Sequence, residues 1–152
     1  MLKELISSRR RGFSLVELLI VLAIISVLSV IVIASINPTK NLADTRNAQR
    51  ESDVGVIMNA VHQYQLDKGY LPTTLPIVSM KQICKTGASC TGGVSLDMLS
   101  TVTGSYLVGI PVDPLASSSG TGTQYWIAKD TKGRVTVIAA FAERNKNIFL
   151  TR

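Results

Sequence analysis

The sequence predicts an α+β fold: a long N-terminal helix in two unlike halves, packed on a small C-terminal antiparallel sheet. Three observations predict it. Residues Phe13 to Ile36 form an apolar run with a single charge, Glu17. Val54, Ile57, Met58, Val61 and Tyr64 then recur at helical spacing and make one apolar face. Near the C-terminus Val135, Val137, Ala139 and Phe141 alternate as one face of a strand does, after the turn-forming Asp130-Thr131-Lys132-Gly133.

The first half of the helix accounts for most of the unusual composition. Hydrophobic residues make up 46% of the 152, and the excess lies between Phe13 and Ile36. A helix over those 24 residues is about 36 Å long, enough to cross a hydrocarbon core of about 30 Å. The charge is just as uneven. Lys3, Glu4, Arg9, Arg10 and Arg11 supply +3 of the chain's net +6. Arg9, Arg10 and Arg11 stand directly before the apolar run, and no Lys or Arg follows until Lys40. That asymmetry places the N-terminus in the cytoplasm and the remainder outside. It also reads the basic run as a topology signal rather than a nucleic-acid patch.

A secretory signal peptide would have a shorter apolar region, about 7–15 residues, ending in small residues. A plain membrane anchor leaves Glu17 unexplained, since a carboxylate deep in a membrane helix costs about 2.5–3.5 kcal/mol. The run Arg10-Arg11-Gly12-Phe13-Ser14-Leu15-Val16-Glu17-Leu18-Leu19-Ile20-Val21 resembles the start of a type IV prepilin or type II secretion major pseudopilin. The resemblance implies that a membrane prepilin peptidase cuts after Gly12 and methylates the new N-terminal Phe13. Glu17 then becomes the fifth residue of the mature chain, the family's assembly glutamate. Each role has a physical basis. Gly12 lets the scissile backbone come close to the peptidase. A carboxylate in lipid needs a partner, and the Phe13 amine of a neighbouring subunit can be one.

The resemblance implies three segments: a cleaved cytoplasmic leader over 1–12, a transmembrane and filament-core helix over 13–36, and an extracytoplasmic pilin head over 37–152. It implies a type IV pilin-like fold and a single-pass location in the inner membrane, followed by a place in a surface filament. Its partners are copies of the same chain, prepilin peptidase, and an assembly platform with its ATPase. Type IV pilus, type II secretion pseudopilus and competence filament share this N-terminus.

Asn37-Pro38 ends the apolar run with a kink or short break, because Pro lacks a donor and disfavours helix before it. Helix resumes to about Lys68, where Gly69 and Pro72 stop it. Lys68-Gly69-Tyr70-Leu71-Pro72 resembles the turn that ends the long helix in pilins. Between Lys40 and Asp53 the helix is polar nearly all round, so it is expected to be exposed or covered by other subunits. The Val54–Tyr64 face docks on the sheet. Residues 73–94 read as loop, Ser95–Val102 as a short helix, Ile110-Pro111-Val112-Asp113-Pro114 as a rigid turn, and Ser117–Thr123 as a flexible loop. Strands are expected at Gln124–Lys129 and Arg134–Ala142, with a third at Ile148–Leu150. Tyr125 and Trp126 are read as sheet-core residues.

Cys84 and Cys90 stand in a Gly/Ser/Thr-rich stretch without a metal pattern. A local disulfide fits an oxidising compartment, and two free thiols are the alternative. Zinc is disfavoured, because His62 is the only histidine, and it reads as a surface or satisfied core residue. Some pseudopilins that the chain resembles bind calcium near the C-terminal sheet. Calcium takes about 6–8 oxygens, and after Asp113 only Asp130 and Glu143 are acidic, so Asp113 reads as a turn former. No catalytic constellation, metal site or cofactor is implied. An alternative function is a minor or tip pilin that binds DNA or a surface. Lys81, Lys85, Lys129, Lys132 and Arg134 are too scattered in sequence to favour it.

Overall fold

The computed structural model describes residues 12–35, 37–100 and 106–152. Its elements are α1 (Leu15–Ser35), α2 (Pro38–Lys68), β1 (Lys81–Cys84), a 3-10 turn at Asp97–Leu99, β2 (Gly122–Lys129), β3 (Val135–Ala139) and β4 (Ile148–Thr151). The chain divides into two compact units, Met1–Thr39 and Lys40–Arg152. The architecture is the expected α+β, pilin-like one: an apolar N-terminal helix, a second helix, and a four-stranded antiparallel sheet in the order β1-β2-β3-β4.

In the second unit, α2 supplies Val54, Ile57, Met58 and Val61 to the core, against Tyr125, Ile127, Val135, Val137 and Ile148 of the sheet. Each large apolar side chain buried this way contributes about 1.5–3 kcal/mol. The helix stops where expected. Gly69 takes φ +79°, a conformation open to glycine, and its N–H still donates to the Gln65 carbonyl at 2.8 Å. Pro38 is the first residue of α2, where its missing N–H has no intrahelical bond to lose. The Asp130–Gly133 turn also forms, with the Asp130 carboxylate accepting from the Lys132 and Arg134 amides at 2.8 Å each.

Five expectations need correction. Residues 73–94 are not all loop: Lys81–Cys84 is an edge strand on β2, so Ile148–Thr151 is the fourth strand rather than the third. The helix expected over Ser95–Val102 is one 3-10 turn at Asp97–Leu99, and residues 101 and 102 lie outside the described residues. β2 begins at Gly122, inside the stretch read as loop. β3 ends at Ala139, which leaves Phe141 55% exposed instead of in the core. Of the adjacent pair Tyr125 and Trp126, only Tyr125 faces the core, because neighbouring strand residues point to opposite faces.

The Cys84–Cys90 disulfide is present, with Cα atoms 5.5 Å apart. Val94 N–H donates to the Gln82 carbonyl at 2.8 Å and Cys84 N–H to the Val94 carbonyl at 2.9 Å, closing the loop on the end of β1. Gly93 lies against the bridge, and a Cβ there would collide with Cys90 Sγ and the Gln82 carbonyl. The substitution Cys84→Ser is therefore expected to lower head stability by about 2 kcal/mol, the loop-closure value for so short a ring. Denaturant unfolding of the oxidised chain in detergent measures it. An unchanged midpoint would show the bridge to be idle.

Candidate functional site

The N-terminal unit presents chemistry through very few groups. Phe13 is 80% exposed, and no residue of α1 is buried. Glu17 sits in the first helical turn, where a carboxylate faces the positive end of the helix dipole. No hydrogen bond or ion pair reaches it among the described residues. The three serines on the apolar helix are satisfied internally: Ser26, Ser29 and Ser35 each donate to the carbonyl four residues back, at 2.7, 2.7 and 2.9 Å. Such back-bonding hides hydroxyls from a hydrocarbon medium. α1 is long and apolar enough to cross a membrane. Glu17 is thus the one unneutralised charge on an apolar cylinder. Arg9, Arg10 and Arg11 lie outside the described residues.

The second unit holds a buried ionic network. Arg50 is fully buried, and Asn47, Asp53 and Asp113 are nearly so. Arg50 donates from Nε to Asp113 Oδ2 at 2.6 Å and from Nη2 to Asp113 Oδ1 at 3.1 Å, a two-pronged pair. Its Nη1 donates to Asn47 Oδ1 at 3.0 Å and to Glu143 Oε2 at 2.9 Å. Arg46 Nε also donates to Glu143 Oε2, at 2.6 Å. Two guanidiniums thus face two carboxylates, and the cluster is neutral. Asn47 closes it by bonding the Glu143 backbone in both directions at 2.9 Å.

This network overturns the expectation that the Lys40–Asp53 half of α2 is exposed or covered only by other subunits. Its inward side is covered by the chain's own 113 turn and 143 corner. Asp113 is a turn former, accepting from the Leu115 amide at 2.8 Å, and it is also the anchor for Arg50. The β1–β2 register shifts between Gln82 and Cys84, opposite this part of β2. Gln124 takes φ +68°, and the Thr123 carbonyl turns to accept the Asp113 N–H at 2.9 Å. Next along α2, Asp53 accepts from the Tyr125 hydroxyl at 2.7 Å and from Gln49 Nε2 at 2.7 Å.

The electrostatics follow. Hydrogen bonds from Arg46, then from Arg50, hold Glu143 at about 2, below the ordinary 4.5. The hydrogen bond to Asp113 raises Arg50 against the opposing effect of burial. Burial, then the hydrogen bond to Asp53, raises Tyr125. One signal could have revealed the network. Continuing the apolar stripe of Val61, Met58 and Val54 backwards at helical spacing lands on Arg50, Asn47 and Ala43, all buried.

Among the described residues no group of three or more His, Cys, Asp or Glu could hold a metal ion. His62 is half-buried, and its Nε2 has no hydrogen-bond partner among the described residues; of the surface and satisfied-core readings it matches neither in full. The cations read as scattered are partly engaged: Arg134 pairs with Asp130 at 2.7 Å, and Lys85 Nζ donates to the Ser117 carbonyl at 2.9 Å.

An exposed apolar helix with one acidic residue in its first turn, followed in the chain by a small α+β unit, is a pilin-like arrangement. Residues 7–33 match the model of the prokaryotic N-terminal methylation motif. The chain is similar to type II secretion system core protein G of Escherichia coli K12, with 37% identity over 68 residues, 45% of this chain and 46% of the relative. The same protein of Aeromonas hydrophila is 35% identical over 66 residues, 43% of this chain and 45% of the relative. Competence protein ComGC of Halalkalibacterium halodurans is 38% identical over 64 residues, 42% of this chain and 61% of the relative. The chain spans about half the length of the first two relatives. No solved structure matches it. The chain thus carries a prepilin-type methylation motif that starts before the apolar helix and runs through most of it.

Proposed function

We propose that this chain is a structural filament subunit, cut after Gly12 by prepilin peptidase, methylated at Phe13, and polymerised into a type IV pilus or type II secretion pseudopilus. The observation that carries the reading is the methylation motif over residues 7–33, set on a helix whose sole charge is Glu17. Residues 1–12 are the leader, 13–36 the membrane anchor and later the filament core, and 37–152 the head. Before assembly the chain sits in the inner membrane with its N-terminus in the cytoplasm. The leader arginines support that orientation, and the disulfide in the head fits an oxidising compartment outside.

The same helix serves in two settings because its surface is apolar all round. In lipid it is solvated by acyl chains, and in a filament by other copies of itself. Glu17 is costly in the first setting and paired in the second, where the Phe13 amine of a neighbour can reach it. The reading asks no catalysis of this chain. Prepilin peptidase, an assembly ATPase and a membrane platform supply the covalent and mechanical steps.

The N-terminal mass of protein isolated from its own membranes tests this directly. A chain that begins at Phe13 and carries one methyl group is expected. A Gly12→Leu variant is expected to accumulate with its leader attached. A chain that still begins at Met1 in cells with active prepilin peptidase would reduce the protein to a membrane-anchored head.

A further inference from the structure

The turn that precedes β1 is strained and bare. Val78 takes φ +65°, a backbone conformation that a β-branched residue rarely adopts. It is pinned on both sides: Val78 N–H donates to the Lys129 carbonyl and Lys129 N–H to the Pro76 carbonyl, each at 2.8 Å. Ser79 N–H then donates back to the Ile77 carbonyl at 2.7 Å, closing a three-residue turn of the rare, strained hand. The strain serves no core packing, since Ile77 is 60%, Val78 72% and Met80 40% exposed. Backbone strain of this kind clusters where a fold does something with it.

The same corner is basic. Ile77 bridges to Lys129, and Lys81 stands opposite Ile127, so both lysines flank the tip. Val78, Met80, Lys129 and Asp130 line one cleft of about 200 Å³, which brings the Asp130–Gly133 turn alongside. Arg134 is paired with Asp130. Lys81, Lys129 and Lys132 form no ion pair among the described residues.

We propose that this tip is a lipid contact: Ile77, Val78 and Met80 enter the interface of an anionic bilayer, while Lys81, Lys129 and Lys132 meet its headgroups. The two features together select the occupant. Apolar side chains alone would suit another protein, and cations alone any polyanion. Aliphatic side chains ringed by lysines match an apolar layer lying under a negative surface. A nucleic acid matches less well, because single strands are held by aromatic stacking and residues 76–81 contain no aromatic residue. The inference rests on the reading of α1 as a membrane anchor, which holds the head at high effective concentration near a bilayer. A contact too weak to retain a free protein therefore suffices, and each lysine at an anionic surface strengthens it about fivefold.

The test uses the full chain, oxidised at Cys84–Cys90 so that Ser79→Cys supplies the one free thiol. That thiol carries the environment-sensitive dye NBD, and the chain is reconstituted in vesicles of phosphatidylcholine, with or without phosphatidylglycerol. Expected in the anionic vesicles alone is a blue-shifted emission, brighter by about twofold or more, that spin labels on the acyl chains quench. Lys81→Gln with Lys132→Gln should cut that signal by about threefold or more. Val78→Gly should cut it as far, yet leave the head as resistant to denaturant as before or more so, because glycine takes φ +65° without strain. A dye that stays in water, responds equally in neutral vesicles, or responds to added DNA and not to lipid would overturn the contact and leave the anchor standing. A full chain that fails to float with the vesicles would overturn both.

Discussion

Arg50→Met is expected to lower the melting temperature of the head by about 10–20 °C, close to the limit of what a domain of this size tolerates. The variant keeps much of the side-chain volume, so the loss is electrostatic. Asp113 remains almost fully buried and loses the only cation on its carboxylate among the described residues. Breaking a buried pair from one side typically costs about 3–5 kcal/mol. Asp113→Asn should cost less, since an amide in that place is not an uncompensated charge. The double variant Arg50→Met with Asp113→Leu should recover much of the loss, because an apolar pair of similar volume is often no worse than a buried ion pair. Thermal unfolding by circular dichroism of the full chain in detergent distinguishes these outcomes. A shift of less than about 3 °C for Arg50→Met would show that the pair does not hold the 113 turn to α2.

The pH dependence has a definite sign. Glu143 titrates at about 2 in the folded chain against an ordinary 4.5. A depressed carboxylate stabilises the fold in full above its unfolded value, and that contribution is lost as pH falls through the folded one. The head should therefore weaken between about pH 4.5 and pH 2, and Glu143→Gln should flatten the curve in that window. In the neutral range this residue contributes no slope.

How much of the fold was legible depended on how far apart the determinants lie. The apolar run of α1, the Val54–Val61 face of α2, the Gly69 stop and the Asp130–Gly133 turn are local patterns, readable within one window of sequence. The ionic network is not. Arg50 meets Asp113 across 63 positions and Glu143 across 93, and a polar stretch of helix reads as a solvated face until its partners are known. Lys81–Cys84 is a short edge strand, and the loop closed by its disulfide masks the alternation. The sequence pattern carries the strand at Val135 past its end at Ala139 because Ala140 and Phe141 continue the apolar run, although Phe141 packs on Trp126. At the N-terminus, the Gly12-Phe13 junction and Glu17 were legible as a motif, because their spacing is a local signal.

Glu17→Leu is expected to keep the chain in the membrane, leave cleavage after Gly12 intact, and cut filament yield at least tenfold. The carboxylate costs about 2.5–3.5 kcal/mol in the membrane-resident subunit. A mere anchor would therefore be improved by leucine, and retention in the membrane should rise or stay constant. A filament subunit loses something else. With α1 apolar all round, its packing energy varies little as one copy slides along another, so apolar contact alone sets no axial register. A charge that finds its partner amine at one offset does. At the same site Glu17→Asp should recover part of the yield, since it keeps the charge on a shorter stem. Glu17→Gln should recover less, because it keeps the shape without the charge. Yield is read by filament preparation and electron microscopy, and processing by N-terminal mass on the same cells, so a failure to assemble is separated from a failure to mature. Normal filaments from Glu17→Leu would mean that register comes from the heads alone.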